Sequence, residues 1–132
     1  MQIVDRELLE LAAKAAGLDL TYCPAWSCMA KKLADIDGEY FDSKTCWNPL
    51  TYDGDALRLA AKLRLGIEFN EASVVASWVD GGYESKEIYG YPDQTQDDDF
   101  NIVYTNHDKA ARRAIVRAAA EIGRQMQDGG AT

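Results

Sequence analysis

The chain is poor in the residues that usually announce chemistry: one histidine, three cysteines and three prolines in 132 residues. His107 has no serine or cysteine beside it in a nucleophile pattern, so the sequence offers no triad to assemble. Three cysteines, Cys23, Cys28 and Cys46, cannot all pair within one chain, and reduced thiols are expected rather than a disulfide framework. A glycine-rich phosphate loop is also missing, because Gly81-Gly82 follows a β-patterned run and no helix comes after it. No apolar run approaches the roughly 20 residues of a membrane-spanning helix. The first residues, MQIVDRELLE, are acidic and amphipathic, without the basic-then-apolar order of a secretory leader, so the expected compartment is the cytoplasm. Finally there is no basic excess. Fourteen Lys and Arg face 22 Asp and Glu, for a formal charge of -8, which disfavours nucleic acid and anionic membrane as direct partners.

What is present is ordinary globular material. The composition is 47% hydrophobic and 27% charged, enough for one domain that buries roughly two-thirds of its unfolded surface. The expected organisation is a single α+β domain over residues 1–128 with a flexible tail, Gly129 to Thr132. The charge is unevenly placed. Between Gly66 and Tyr104, nine acidic residues (Glu68, Glu71, Asp80, Glu84, Glu87, Asp93, Asp97, Asp98 and Asp99) stand against Lys86 alone, so this segment carries the whole net charge. Such a field steers basic partners toward it, although acidity also serves plain solubility.

Periodicity predicts three helices. Leu8, Leu11, Ala12 and Ala15 recur at helical steps over Asp5 to Ala16, with Asp5 as a cap and Gly17 as the stop, followed by a short strand at Leu18 to Leu20. Ala56, Leu59, Ala60 and Leu63 mark a second helix stopped by Gly66. Ala111, Ile115, Ala118, Ile122 and Met126 mark a third, opened by a capping box at Thr105 to Asp108, with Arg112, Arg113, Arg117 and Arg124 off the stripe. Cys23 to Lys32, with Pro24 and no period, reads as a loop, and Ile36 to Phe41 as a strand broken by Gly38. From Ile67 the period changes to two: Ile67 to Phe69, Val74 to Val79 and Ser85 to Tyr91 predict a three-stranded antiparallel meander, turning at Asp80 to Gly82. PDQTQDDD, Pro92 to Asp99, reads as an exposed loop, and Phe100 to Tyr104 as a last short strand. Three amphipathic helices with such strands favour a layered α/β/α sandwich, with a mainly antiparallel sheet of four to five strands flanked by the helices.

Few constellations compete for a site. Asp53-Gly54-Asp55 resembles the start of a calcium loop, but that pattern needs a glycine at its sixth position and a glutamate at its twelfth, where this chain has Arg58 and Arg64. The aspartates fit helix initiation better: Asn48-Pro49 turns the chain, Thr51 or Asp53 caps, and Asp55 faces the positive end of the helix dipole. Cys23, Cys28, Cys46 and His107 could supply four zinc ligands, yet the close-spaced pairs usual in structural zinc sites are absent. No metal, cofactor or catalytic residue is therefore expected. Among the aromatics Trp78, Tyr83, Tyr89, Tyr91 and Tyr104, strand alternation places some on the sheet face opposite the core, where tyrosines beside carboxylates suit a protein-binding surface unless a helix covers them. The arginines of the third helix are expected in internal ion pairs such as Arg117 with Glu121.

Three blocks carry a family resemblance: RELLELAAKAAG (Arg6 to Gly17), WNPLTYDGDALRLAAKL (Trp47 to Leu63) and ARRAIVRAAAEIGR (Ala111 to Arg124), about a third of the chain in total. In this order, with β-patterned segments between them, they resemble the small phage and prophage proteins grouped as the phage ABA sandwich domain family. The resemblance implies an α/β/α layered domain expressed in a bacterial cytoplasm, and it implies no reaction. Tyr52 departs from the acidic residue common at that place in the family, which further weakens a metal role for this loop. The resulting expectation is a non-enzymatic phage accessory protein that binds another protein. One form of it is an inhibitor of a host defence system such as CRISPR interference, whose acidic face mimics nucleic acid. Glu84, Glu87, Tyr89, Tyr91, Asp93, Asp97, Asp98 and Asp99 are the candidate partner-binding residues. The alternatives are a small-molecule or metal-binding pocket beside the Trp47 to Asp55 loop, and a self-associating phage assembly component.

Overall fold

The computed structural model describes residues 4–33, 40–80 and 84–129. In chain order the elements are α1 (Asp5–Ala15), β1 (Thr21–Cys23), β2 (Cys28–Leu33), β3 (Tyr40–Trp47), α2 (Asp53–Leu63), β4 (Gly66–Phe69), β5 (Val74–Asp80), β6 (Glu84–Gly90), β7 (Asp93–Gln96), β8 (Ile102–Thr105) and α3 (His107–Gly129). Among the described residues the fold is α+β, with three helices and only antiparallel strand pairs. The strands differ from expectation in number and grouping: eight are divided among three small sheets, β1-β2-β3, β4-β5-β6 and β7-β8, instead of four to five in one.

The helices lie where the apolar period puts them. α3 runs through the middle of the molecule, packed along α1, with α2 beside it and β4, β5 and β6 against another side, while α1 also rests on β1 and β2. A helix surrounded in this way must be buried on more than one stripe. Besides Ala111, Ile115 and Ala118, therefore, Ala110, Ala114, Val116, Ala119 and Ala120 are buried, whereas Met126, expected in the core, is half exposed at the free end. Alanines let the neighbours approach closely. The limit is reached at Gly123, where an added Cβ would lie 2.1 Å from the Leu11 carbonyl oxygen, and at Gly90, where it would lie 2.2 Å from that of Ala110.

Helix ends depart from the expected punctuation. α1 starts at Val4 and α2 at Tyr52 without a side-chain cap, and Asp5 instead meets Arg113 of α3 at 3.0 Å. The left-handed exit from α2 is Arg64 (φ 56°), with the Leu65 amide donating to the Ala60 carbonyl, so Gly66 is the first residue of β4 and not the stop. Asn106 (φ 62°) immediately precedes α3, and its carbonyl accepts from the Ala110 amide.

The segment read as a loop from Cys23 to Lys32 is the hairpin β1-β2, with Cys23 opposite Cys28, and the strand expected at Leu18 to Leu20 starts later, at Thr21. The β4-β5-β6 meander forms as predicted, in a register that sets Ile67 against Ala76 and Ala76 against Ile88. The predicted Asp80 to Gly82 turn, most of the Ile36 to Phe41 strand, Tyr83 and the tail beyond Gly129 fall outside the described residues.

Candidate functional site

All the candidate partner-binding residues but Glu84 fall on two adjoining features. The first is the outer face of the β4-β5-β6 sheet. Residues directly opposite each other share a face and successive residues alternate, so Ile67, Ala76, Trp78, Ile88 and Gly90 turn toward α3 while Glu68, Val75, Ser77, Glu87 and Tyr89 turn away from it. Among the described residues no helix packs on that outer face, although Val75 at its centre, between Glu68 and Tyr89, is buried. Tyr89 and Tyr91 are 42% and 71% exposed. Their rings are stacked, with centroids 6.5 Å apart and planes 14° from parallel. The Tyr89 hydroxyl donates to Glu87 Oε2 at 2.9 Å. That bond and the charge of Glu87 hold the phenol above its ordinary pKa, since both oppose formation of a second anion. Glu84, at the start of β6 opposite Asp80, alternates to the same side as Lys86, with which it pairs, so it is not brought onto the outer face with Glu87 and Tyr89.

The second feature is the hairpin β7-β8. Pro92 to Asp99 is not a loop: Asp93 to Gln96 pair with Thr105 to Ile102, and the turn at the end holds Asp97, Asp98 and Asp99. Asp97 organises this turn, its Oδ1 accepting the amides of Asp99 (2.9 Å) and Asn101 (2.8 Å). Chiefly because of the Asn101 amide, its carboxyl sits below the usual aspartate range. Among the described residues the arm has no substantial packing against another element. It is tied down at its base through Asp93, which accepts from Asn106 Nδ2 at 2.8 Å and lies 3.8 Å from Lys109 Nζ. Phe100 is 80% exposed and takes a left-handed φ of 65°, and Ile102 and Val103 are exposed as well. These three apolar residues adjoin the acidic turn and extend the candidate surface beyond the carboxylates and tyrosines. Their signal in the sequence is FNIVY, directly after three aspartates.

The other candidates resolve differently. Asp55 is buried and structural: its Oδ2 accepts the Asn48 amide at 2.9 Å and its Oδ1 accepts from Arg58 at 2.6 Å. Asn48 also donates through Nδ2 to the Ser27 carbonyl and accepts from the Leu50 amide, knitting the β1-β2 turn to the start of α2. Asp53 points elsewhere, to Arg112, whose guanidinium also reaches Asp108 and the Leu50 carbonyl. Burial draws the Arg112 pKa down, but the two aspartates outweigh it and hold the charge more firmly. Beside this arginine lies an apolar cleft of about 340 Å³ between α2, α3 and β4, lined by Ala56, Leu57, Ala60, Ile67, Phe69 and Ile115 among others.

Cys23, Cys28 and Cys46 come together on the β1-β2-β3 sheet. The Cys28 thiol is pushed up to about 12 by burial, then by its hydrogen bond with Cys46 and the nearness of that thiol. His107 is not with them, because its Nε2 meets the Glu71 carbonyl at 2.8 Å. Among the described residues no group of three or more histidine, cysteine or acidic side chains is arranged to hold a metal ion, and no helix is long and apolar enough to cross a membrane. Of the arginines expected in internal pairs, Arg112, Arg113 and Arg124 are so engaged. Arg117 instead donates to the Tyr89 carbonyl on the open edge of β6.

Among the described residues, fold and surface together define a small α+β protein with a tyrosine-carboxylate sheet face on which no helix packs and an acidic two-stranded arm. No family model matches the chain, and no similar curated protein or solved structure is found.

Proposed function

We propose that the protein is a non-enzymatic binding protein of phage or prophage origin, acting in the bacterial cytoplasm. The arm and the outer face of the β4-β5-β6 sheet engage a basic protein surface that ordinarily receives nucleic-acid phosphates. One observation carries this reading: a two-stranded hairpin bearing four carboxylates and three exposed apolar side chains is held at its base by Asp93 and, among the described residues, has no substantial packing against another element. An isolated hairpin is marginal in water and its open edges invite pairing, so such an element is retained where a partner completes it. Carboxylates around apolar anchors supply steering and contact energy together. A defence effector such as a CRISPR complex, which must hold nucleic acid, is a partner of this chemistry. The phage-like sequence blocks favour that setting.

The test is capture from host lysate at low salt, comparing the wild-type chain with a variant in which Asp97, Asp98 and Asp99 are all Asn. The expected result is a nucleic-acid-handling protein held by the wild type, released by salt or by DNA, and not held by the variant. If the two capture the same proteins, or the wild type captures none, the reading fails.

The apolar cleft beside Arg112 supports a second reading, a small-ligand site, since about 340 Å³ is at the lower end of the range for such pockets. Thermal denaturation against a panel of small apolar carboxylates, nucleotides and metal ions tests it, because a ligand at a hundredfold its Kd adds about 2.7 kcal/mol. A flat response to the whole panel removes this reading.

A further inference from the structure

Tyr89 in β6 and Tyr91, one residue past the end of that strand, stand two positions apart beside the outer sheet face, with their rings stacked. A strand rises about 3.4 Å per residue, so positions two apart lie about 6.8 Å apart. The observed centroid distance of 6.5 Å with planes 14° from parallel is close to that repeat. A cation midway between the rings would therefore lie about 3.3 Å from each centroid, half the observed separation and well inside the roughly 6 Å reach of a cation–π contact. A planar guanidinium fits such a slot better than a tetrahedral ammonium and stacks on both ring faces.

Carboxylates outnumber the one close cation beside the slot, Arg117, whose guanidinium donates to the Tyr89 carbonyl at 3.1 Å on the β6 edge. Glu87 is bonded to the Tyr89 hydroxyl, and Glu68 lies on the same face across Val75, about 10 Å from Tyr89 at two strand spacings. Of the nearby cations, Lys86 alternates to the other face and pairs with Glu84, Lys109 pairs with Asp93, and Arg117 is spent on the backbone carbonyl of Tyr89. The Glu87 bond also fixes one ring in advance, which lowers the cost of ordering it on binding.

We propose that Tyr89 and Tyr91 form a clamp for an arginine side chain of the partner, with Glu87 and Glu68 supplying the counter-charge. This rests on the partner-binding reading and adds to it a residue type on the other side of the interface. A nucleobase could also enter between two rings, but the strand carrying it would set its phosphates against these carboxylates.

The probes are two synthetic peptides, acetyl-Gly-Arg-Gly-Gly-Arg-Gly-amide and its lysine counterpart, titrated by NMR into the wild-type chain. Parallel titrations use Tyr91→Leu, Glu87→Gln and the arm variant with Asp97, Asp98 and Asp99 changed to Asn. The expected result is about a threefold or greater preference for the arginine peptide, with ring-current upfield shifts of its Cδ protons. That preference is lost in Tyr91→Leu and kept in the arm variant, while Glu87→Gln weakens both peptides. Since Tyr91 is largely exposed, its substitution leaves the fold in place. A wild-type chain that captures a basic partner yet treats the two peptides alike overturns the clamp and leaves the partner reading standing. A preference that survives Tyr91→Leu, or tighter binding of a single-stranded oligothymidine than of the arginine peptide, also overturns it.

Discussion

Changing Asp55 to Ala should cost the fold about 2–4 kcal/mol, while the same change at Asp53, two residues earlier, should cost less than about 1 kcal/mol. The side chains differ in what depends on them. Asp55 is 13% exposed and is the acceptor for the buried Asn48 amide. Removing it strands a buried donor, at about 1–3 kcal/mol. The Arg58 pair adds only about 0.2–0.5 kcal/mol because the arginine is 73% exposed, and a first-turn carboxylate adds about 0.3–1 kcal/mol against the helix dipole. Asp53 is 73% exposed, and without it Arg112 keeps Asp108 and the Leu50 carbonyl. In a domain of this size the Asp55 loss lowers Tm by roughly 6–20 °C. Urea and thermal unfolding followed by circular dichroism read both values. Asp55→Asn, which keeps one acceptor oxygen, falls between wild type and Asp55→Ala. Equal costs at the two positions would refute the distinction between a buried tie and a surface pair. Loss of partner capture in a folded Asp53 or Asp55 variant would return the pair to the list of functional residues.

Other expectations follow from the same geometry. Gly123→Ala forces a methyl group against the Leu11 carbonyl at the α1–α3 crossing and costs about 1–3 kcal/mol by overpacking; an unchanged urea midpoint would mean the helices are not so close. Cys23 and Cys28, buried, with the Cys28 thiol pushed up to about 12, resist a thiol reagent such as Ellman's at pH 8 and react on unfolding, so rapid modification of all three cysteines in the native state contradicts their placement. Asp97 has a lowered folded-state pKa and binds its proton less readily than it does unfolded. Its contribution to the order of the arm is therefore present above the unfolded value of about 3.9 and lost as pH falls through the folded one. NMR titration of the Asp99 and Asn101 amides checks this, and a midpoint at or above the ordinary aspartate value rules it out.

The helices and the β4-β5-β6 meander were legible because each buries one face and the apolar period records it. What the period missed has local causes. β1 and β2 read as a loop because Pro24 sits beside a very short strand and because Cys28, Met29 and Ala30 are buried in succession, with no alternation to detect. β7 reads as a loop because it is polar throughout, and a strand exposed along its whole length needs no apolar face. The exit of α2 fell to Arg64 although Gly66 was the obvious candidate, since the Leu65 amide returns to the Ala60 carbonyl two residues early. Of the site, the acidic run and the tyrosines were visible in the sequence. Their arrangement as a face on which no described helix packs and a two-stranded arm was not, because sequence alternation says which residues share a side and nothing of what covers it.

On the proposed function, residues 84–105 are where a partner docks. Amide hydrogen exchange by mass spectrometry tests it directly, on the free chain and on the chain within a complex recovered from host cells. In the free chain the amides of β7 and β8 should exchange quickly, as in a marginal hairpin. In the complex, new protection should appear across β6, β7 and β8 and little elsewhere. An arm that stays labile in the complex while protection rises around the Arg112 cleft or the β1-β2-β3 sheet would contradict the account.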